Sequence, residues 1–207
     1  MLVYKILIYL SITSVLIPLA IGIHKLRARP LFFKGLVVYL LISGLSDIVG
    51  LSYPEFSHFK NNIFGVTQIV ILTTLYVMLS LKRATRKWMI GMGIVLLLNV
   101  FAFELLGNFH ERNMPIRLLG SFWFIVLAIH YYLSLFKGLP VNNIVRYPYF
   151  WFNLAILVYF SGNLFLHTSI TFIKSENLYY LYIPIHSMFN VIKNLFLARS
   201  LYLDPNV

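Results

Sequence analysis

Seven predominantly apolar stretches run along the chain, separated by polar breaks that carry most of its lysine, arginine, proline and glycine. They cover residues 7–23, 35–51, 62–81, 88–106, 115–136, 148–173 and 177–201. Each is close to the ~20 residues that a helix needs to cross hydrocarbon. The pattern predicts an all-α membrane protein, a single seven-transmembrane-helix bundle whose short connections leave no room for a soluble catalytic domain. The first stretch, with Lys5 before it and Ala20-Ile21-Gly22 near its end, also has features of a cleavable signal peptide. His24, Lys25, Arg27 and Arg29 follow at once, however, and such a basic cluster resists translocation. It is therefore read as the first span.

Polar residues inside the apolar runs fall at helical spacings. In the last run Tyr179, Tyr182, His186, Asn190, Lys193 and Asn194 lie three or four apart and form one stripe, with Leu181, Ile185, Met188 and Leu195 on the remaining surface. Pro184 cannot donate to the Tyr180 carbonyl and frees an acceptor about one turn before His186. In the second run Tyr39, Ser43 and Asp47 recur every fourth residue. The third has Asn61, Gly65 and Gln68 on a common side, and the fourth carries Asn99 and Glu104. The fifth holds Arg117, Ser121 and His130, and the sixth Asn153, Ser161, Asn163 and His167.

Composition narrows the class. With 60% hydrophobic and only 11% charged residues, too few polar groups exist to cover a soluble domain. The absence of cysteine removes disulfides, thiol nucleophiles and thiolate metal sites. The formal charge of +11 is not gathered on one face as a nucleic-acid footprint would be. It sits between the apolar runs, where it meets anionic headgroups and sets orientation, so the expected partner is the lipid bilayer and not nucleic acid.

Lys25, Arg27, Arg29, Lys34, Lys82, Arg83, Arg86, Lys87, Lys137, Arg146 and Arg199 lie on one side of the bundle. Lys5, Lys60, Arg112, Arg117 and Lys174 lie on the other. This asymmetry predicts a cytoplasmic C-terminus and an outside N-terminus. Asp47, Glu104, Arg117, His167 and His186 then fall in the outer half of the bilayer, Asn163 and Asn190 near its middle, and Lys193 and His130 on the inner side.

Three segments carry a family resemblance. They are Asn61-Asn62, the run Tyr149-Phe150-Trp151-Phe152-Asn153 to Tyr159-Phe160-Ser161-Gly162-Asn163-Leu164-Phe165, and Ile185-His186-Ser187-Met188-Phe189-Asn190 with Asn194-Leu195. Together they resemble small, uncharacterised seven-helix membrane proteins of Bacteroidetes-type bacteria, often encoded beside sensor histidine kinases. The resemblance covers roughly the second half of the chain and the third span. It implies a signalling context in the bacterial inner membrane, with a sensor histidine kinase as a possible partner, and no particular reaction. Such relatives carry an acidic residue a few positions after the Asn pair, where this chain has Gln68 and Val70.

Uncharged polar residues in membrane helices ordinarily act as interhelical hydrogen-bond glue, which is the default reading for Ser43, Asn99, Asn153 and Asn163. Arg117, Glu104 and Tyr179 are near enough to helix ends to snorkel. Asp47, His167, His186 and Lys193 are costlier, because an ionisable group deep in a membrane helix is disfavoured unless it faces protein, water or a ligand. The expectation is an outward-facing pocket lined by Asp47, Glu104, Asn163, His167, Tyr182, His186 and Asn190, with Lys193 at its floor. A sensor could use it to bind a small ligand, ion or proton and move spans six and seven. Three alternatives share the residues. A metal-dependent hydrolase would place zinc on His167, His186, Asp47 and Glu104, although no helix carries a His-x-x-x-His pair. A retinal protein would use Lys193 as Schiff base, yet the third span has no carboxylate counter-ion. A small transporter would show paired repeats, and none is evident. Catalysis is not expected, and no cofactor is expected outside the zinc and retinal alternatives.

Overall fold

Every apolar run folds as α-helix. The computed structural model describes residues 2–53, 57–106, 114–137, 143–173 and 176–204, and no strand occurs among them. The helices are α1 (Leu2–Ser14), α2 (Leu16–His24), α3 (Leu31–Ser52), α4 (Ser57–Leu79), α5 (Arg83–Leu106), α6 (Met114–Lys137), α7 (Pro148–Ile173) and α8 (Glu176–Tyr202). Short 3-10 turns at Leu26–Ala28 and Ile144–Arg146 lead into α3 and α7.

The first span is one helical segment with a local interruption. At Val15, between α1 and α2, the backbone stays right-handed helical, and the Leu19 N–H still bonds to the Val15 carbonyl. Pro18 has no N–H for the Ser14 carbonyl, so the i to i−4 ladder is interrupted there and Pro18 falls in the first turn of a new helix, where its ring is tolerated. Pro184, by contrast, lies inside a helix that continues through it. Other ends move outward. α3 begins at Leu31 directly after the extended Pro30, and α5 takes in Arg83 to Lys87, good helix formers whose long side chains can reach water from a helix end.

Six helical segments are long and apolar enough to cross a membrane, namely Lys5–His24, Leu31–Ser52, Asn61–Leu79, Arg83–Ala102, Arg117–Lys137 and Pro148–Ser169. Their surfaces agree with a multi-pass membrane protein. Leu45, Leu98, Phe101, Phe122 and Phe165 are exposed, whereas Ser43, Ser121, Asn153 and Asn163 are buried, the reverse of a soluble protein. α8 follows the same rule. Leu181, Met188 and Leu195, seven apart, are exposed, and Asn190, Lys193 and Asn194 are buried.

The helices pack in chain order around a ring. Each meets the next from α1 through α8 (α2 on α3, α3 on α4 and so on), α8 closes against α1 and α2, and α4 also reaches α6. The α7–α8 contact is the most extensive, and Gly162 permits it: a β-carbon there would lie 2.5 Å from the Phe189 ring. At the end where α2 gives way to α3, Phe32, Phe33, Tyr149 and Phe152 form edge-on and tilted ring pairs with centroids 5.0–5.3 Å apart, filling the interior between α3 and α7. The ring is fastened at that end. Arg29, itself buried, donates from Nη1 to Leu203 O at 2.5 Å and from Nη2 to Leu201 O at 2.9 Å, and Lys25 Nζ reaches Tyr202 O at 2.8 Å. Two cations thereby occupy the negative end of the α8 dipole and satisfy its last carbonyls.

Candidate functional site

Polar residues turn inward from five helices toward one partly enclosed cavity of about 140 Å³. α3 contributes Ser43, Ser46 and Asp47, α4 Asn61, Asn62 and Gln68, α6 Arg117 and Ser121, α7 Tyr159, Asn163 and His167, and α8 His186 and Asn190. Phe64, Ile69, Phe124 and Phe160 supply apolar wall. All of these positions lie in the half of the bundle where α3 leads to α4, α5 to α6 and α7 to α8. The basic connections are at the opposite end.

Hydrogen bonds hold the wall in place. His186 Nδ1 and Asn163 Oδ1 are 2.6 Å apart, a contact that joins α7 to α8 inside the bundle. Since the carboxamide oxygen only accepts, Nδ1 is the donor of this contact. Gln68 Nε2 donates to the hydroxyl of the fully buried Tyr39 at 2.9 Å. Asn190 Nδ2 donates to Ser11 Oγ at 2.8 Å, and one turn on Asn194 Nδ2 donates to Ser14 Oγ at 2.7 Å, so α8 and α1 are zipped by two Asn–Ser pairs. Away from the cavity Asn153 accepts from the Tyr76 hydroxyl at 2.9 Å, and Asn99 bonds to Val95 O of its own helix. Those two are structural.

Of the residues expected at the site, Asp47, Asn163, His167, His186 and Asn190 line the cavity. Two others take different places. Tyr182 is not a lining residue; its ring stacks on His186 (5.8 Å between centroids, planes 6° apart) and sits 5.6 Å from His167, so it positions both imidazoles. Lys193 is not the cavity floor. It is 2% exposed, and its Nζ lies over the Tyr159 ring at 4.5 Å and the Tyr39 ring at 5.9 Å, a cation–π seat beside the lining residue Tyr159. The Asp47 charge is near enough to act on Lys193, Tyr39 and Tyr159 alike. The side chain of Glu104 lies outside the described residues.

Several lining residues had pointed elsewhere in the sequence. Ser43 reads as glue and Arg117 as a snorkelling helix-end cation, yet both face the cavity. Asn61, Gly65 and Gln68, the polar side of the third run, line it as a set. Asn62 is also there, buried, and its Nδ2 has no hydrogen-bond partner among the described residues.

No family model, curated protein or solved structure matches this chain.

Among the described residues no three His, Asp or Glu side chains converge as metal ligands, and Glu104, the fourth ligand of the zinc alternative on His167, His186 and Asp47, lies outside them. The Schiff-base alternative fares no better, since Lys193 faces two tyrosine rings and does not line the cavity. What the wall does present is one carboxylate, one guanidinium, two imidazoles and several carboxamides on a cage of packed helices. Such an arrangement can orient a small polar solute or exchange protons with it.

Proposed function

We propose that this chain is a seven-span sensor of the bacterial inner membrane, with its N-terminus outside, its C-terminus in the cytoplasm and its cavity facing outward. A small solute, ion or proton would enter from the periplasmic side, and the change in α7–α8 packing would pass to a membrane partner such as a histidine kinase. The observation that carries this reading is the convergence of Asp47, Arg117, Asn163, His167, His186 and Asn190 on one cavity. Ionisable side chains in membrane helices are expensive, and when they gather around shared space they mark a ligand or ion site. The seventh span is supported by α8 itself, which keeps an apolar stripe outward and its polar stripe inward. The orientation is supported by the basic residues gathered at the end away from the cavity.

Two features favour sensing over chemistry. The His186–Asn163 bond spans the α7–α8 interface at the cavity wall, so occupancy of the wall bears directly on how these helices pack. Arg29 and Lys25 then tie the far end of α8 to the connection between α2 and α3 at the basic end. The test is a distance. Because the chain has no cysteine, spin labels on Leu133→Cys of α6 and Leu195→Cys of α8, both exposed, report on that end alone. A sensor shows a changed distance distribution when a solute or a pH step engages the cavity, and Asn163→Leu abolishes the change. A distribution that stays fixed across solutes, cations and pH contradicts the reading.

A further inference from the structure

The cavity wall carries both signs of charge, and this names a class of ligand. α4 and α6 pack against each other, and Asn61, Asn62 and Arg117 all line the cavity. Asn62 is 7% exposed and its Nδ2 has no acceptor among the described residues, although the residue lines the cavity. A buried amide N–H without a partner is unfavourable, and a ligand oxygen placed there would relieve it. Arg117 adds a permanent positive charge whose planar fork of N–H donors matches a carboxylate. Its neighbours in the wall are otherwise engaged: Gln68 and Asn190 direct an N–H to Tyr39 and Ser11, and the Asn163 oxygen meets His186.

The lining also carries the opposite sign. Asp47 on α3 is the one carboxylate among the described lining residues. A simple anion would answer Arg117 and not Asp47, and a divalent cation would find one carboxylate and an arginine in the same cavity. A molecule with both charges suits both of these lining residues. The volume, about 140 Å³, is below the usual range for drug-sized ligands and fits a solute of a few heavy atoms.

Resting on the sensor reading, we infer that the cavity takes a small zwitterion of the α-amino-acid type, its carboxylate on Arg117 and the Asn62 carboxamide and its ammonium toward Asp47. The His167 and His186 rings, backed by Tyr182, form part of the wall and limit the length of the solute's side chain.

The test uses the full chain in lipid nanodiscs, with L-alanine, acetate and methylammonium as probes and calorimetric affinity and thermal shift as readouts. Alanine is expected to bind at least roughly tenfold more tightly than either fragment, since each fragment forgoes one charged contact. Arg117→Gln should weaken alanine roughly tenfold or more, and Asn62→Leu severalfold, while the unliganded protein with Asn62→Leu melts no lower than the parent. Should Arg117→Gln fail to fold, Arg117→Lys keeps the charge and loses the fork, and should still weaken alanine. Equal affinity for acetate and alanine would overturn the zwitterion in favour of an anion site, and equal affinity for methylammonium in favour of a cation site. If folded protein ignores all three probes while another solute, a metal ion or pH still moves the α6–α8 label distance, the ligand class is wrong and the sensor reading stands. If alanine binds as expected but the distance never changes, the ligand class stands and the sensor reading fails.

Discussion

His186 Nδ1 on α8 and Asn163 Oδ1 on α7 meet at 2.6 Å, side by side in the cavity wall. Hydrogen bonds between membrane helices contribute ~0.6 kcal/mol on average and up to ~1.7. This one is part-buried, joins the two most extensively packed helices, and involves an imidazole whose other nitrogen can change protonation. A double-mutant cycle on Asn163→Leu and His186→Phe in bicelles should return a coupling energy toward the upper end, about 1–2 kcal/mol. The nitrogen spectrum of labelled His186 should show the proton on Nδ1 in the neutral ring. A neutral Nε2–H tautomer would mean that the pair is not held as the geometry requires.

Gly162 predicts a steric effect. A methyl group there would sit 2.5 Å from the Phe189 ring, so Gly162→Ala should destabilise the fold by about 1–3 kcal/mol in a denaturant titration. Adding Phe189→Leu should recover part of the loss. A harmless Gly162→Ala would show that α7 and α8 do not approach as closely as the Phe189 ring implies.

Lys193 predicts an asymmetry. Its ammonium is buried over Tyr159 and Tyr39, and buried charges are often no better for stability than an apolar group of similar volume. Lys193→Met should therefore leave the melting temperature near that of the parent or raise it. Tyr159→Leu removes the ring while keeping the charge and should cost about 2 kcal/mol or more. Comparable losses from the two changes would argue that Lys193 serves the fold itself.

Arg29 predicts a local effect at the basic end. Arg29→Gln keeps polarity but loses the charge at the α8 C-terminus, which in partly buried settings is worth up to ~2 kcal/mol. Faster amide exchange should appear in the last turn of α8, whose Leu203 N–H bonds to Arg199 O, with little change around the cavity. Uniform loss of protection across all helices would instead make Arg29 a residue for the whole bundle.

The helices and the inward stripe of α8 were legible because each rests on local periodicity: an apolar face outside, Asn190, Lys193 and Asn194 inside. The convergence of Asp47, His167 and His186 was expected from cost alone, since lipid tolerates none of them. What could not be read were facts of rotation and neighbourhood. Arg117 at a helix end can snorkel outward or turn inward, and its contact with the cavity depends on how α6 is rolled against α4. Lys193 was expected at the floor because it lies below His186 on the stripe; the tyrosine rings that take it come from α3 and α7, far away in the chain. Asn62 carried no signal beyond its place beside Asn61. Its importance comes from an unmet N–H, which only three-dimensional packing reveals.

The central claim is that these five helices enclose a water-reachable cavity open to the outside, and labelling tests it most directly. In the naturally cysteine-free chain, Ser46→Cys places one thiol in the cavity wall, and Leu98→Cys, on an exposed apolar face, serves as the lipid-facing control. A membrane-impermeant maleimide added to intact spheroplasts should modify Ser46→Cys and leave Leu98→Cys untouched. Failure to modify Ser46→Cys from outside, or modification only once the cytoplasmic face is exposed, would contradict the account.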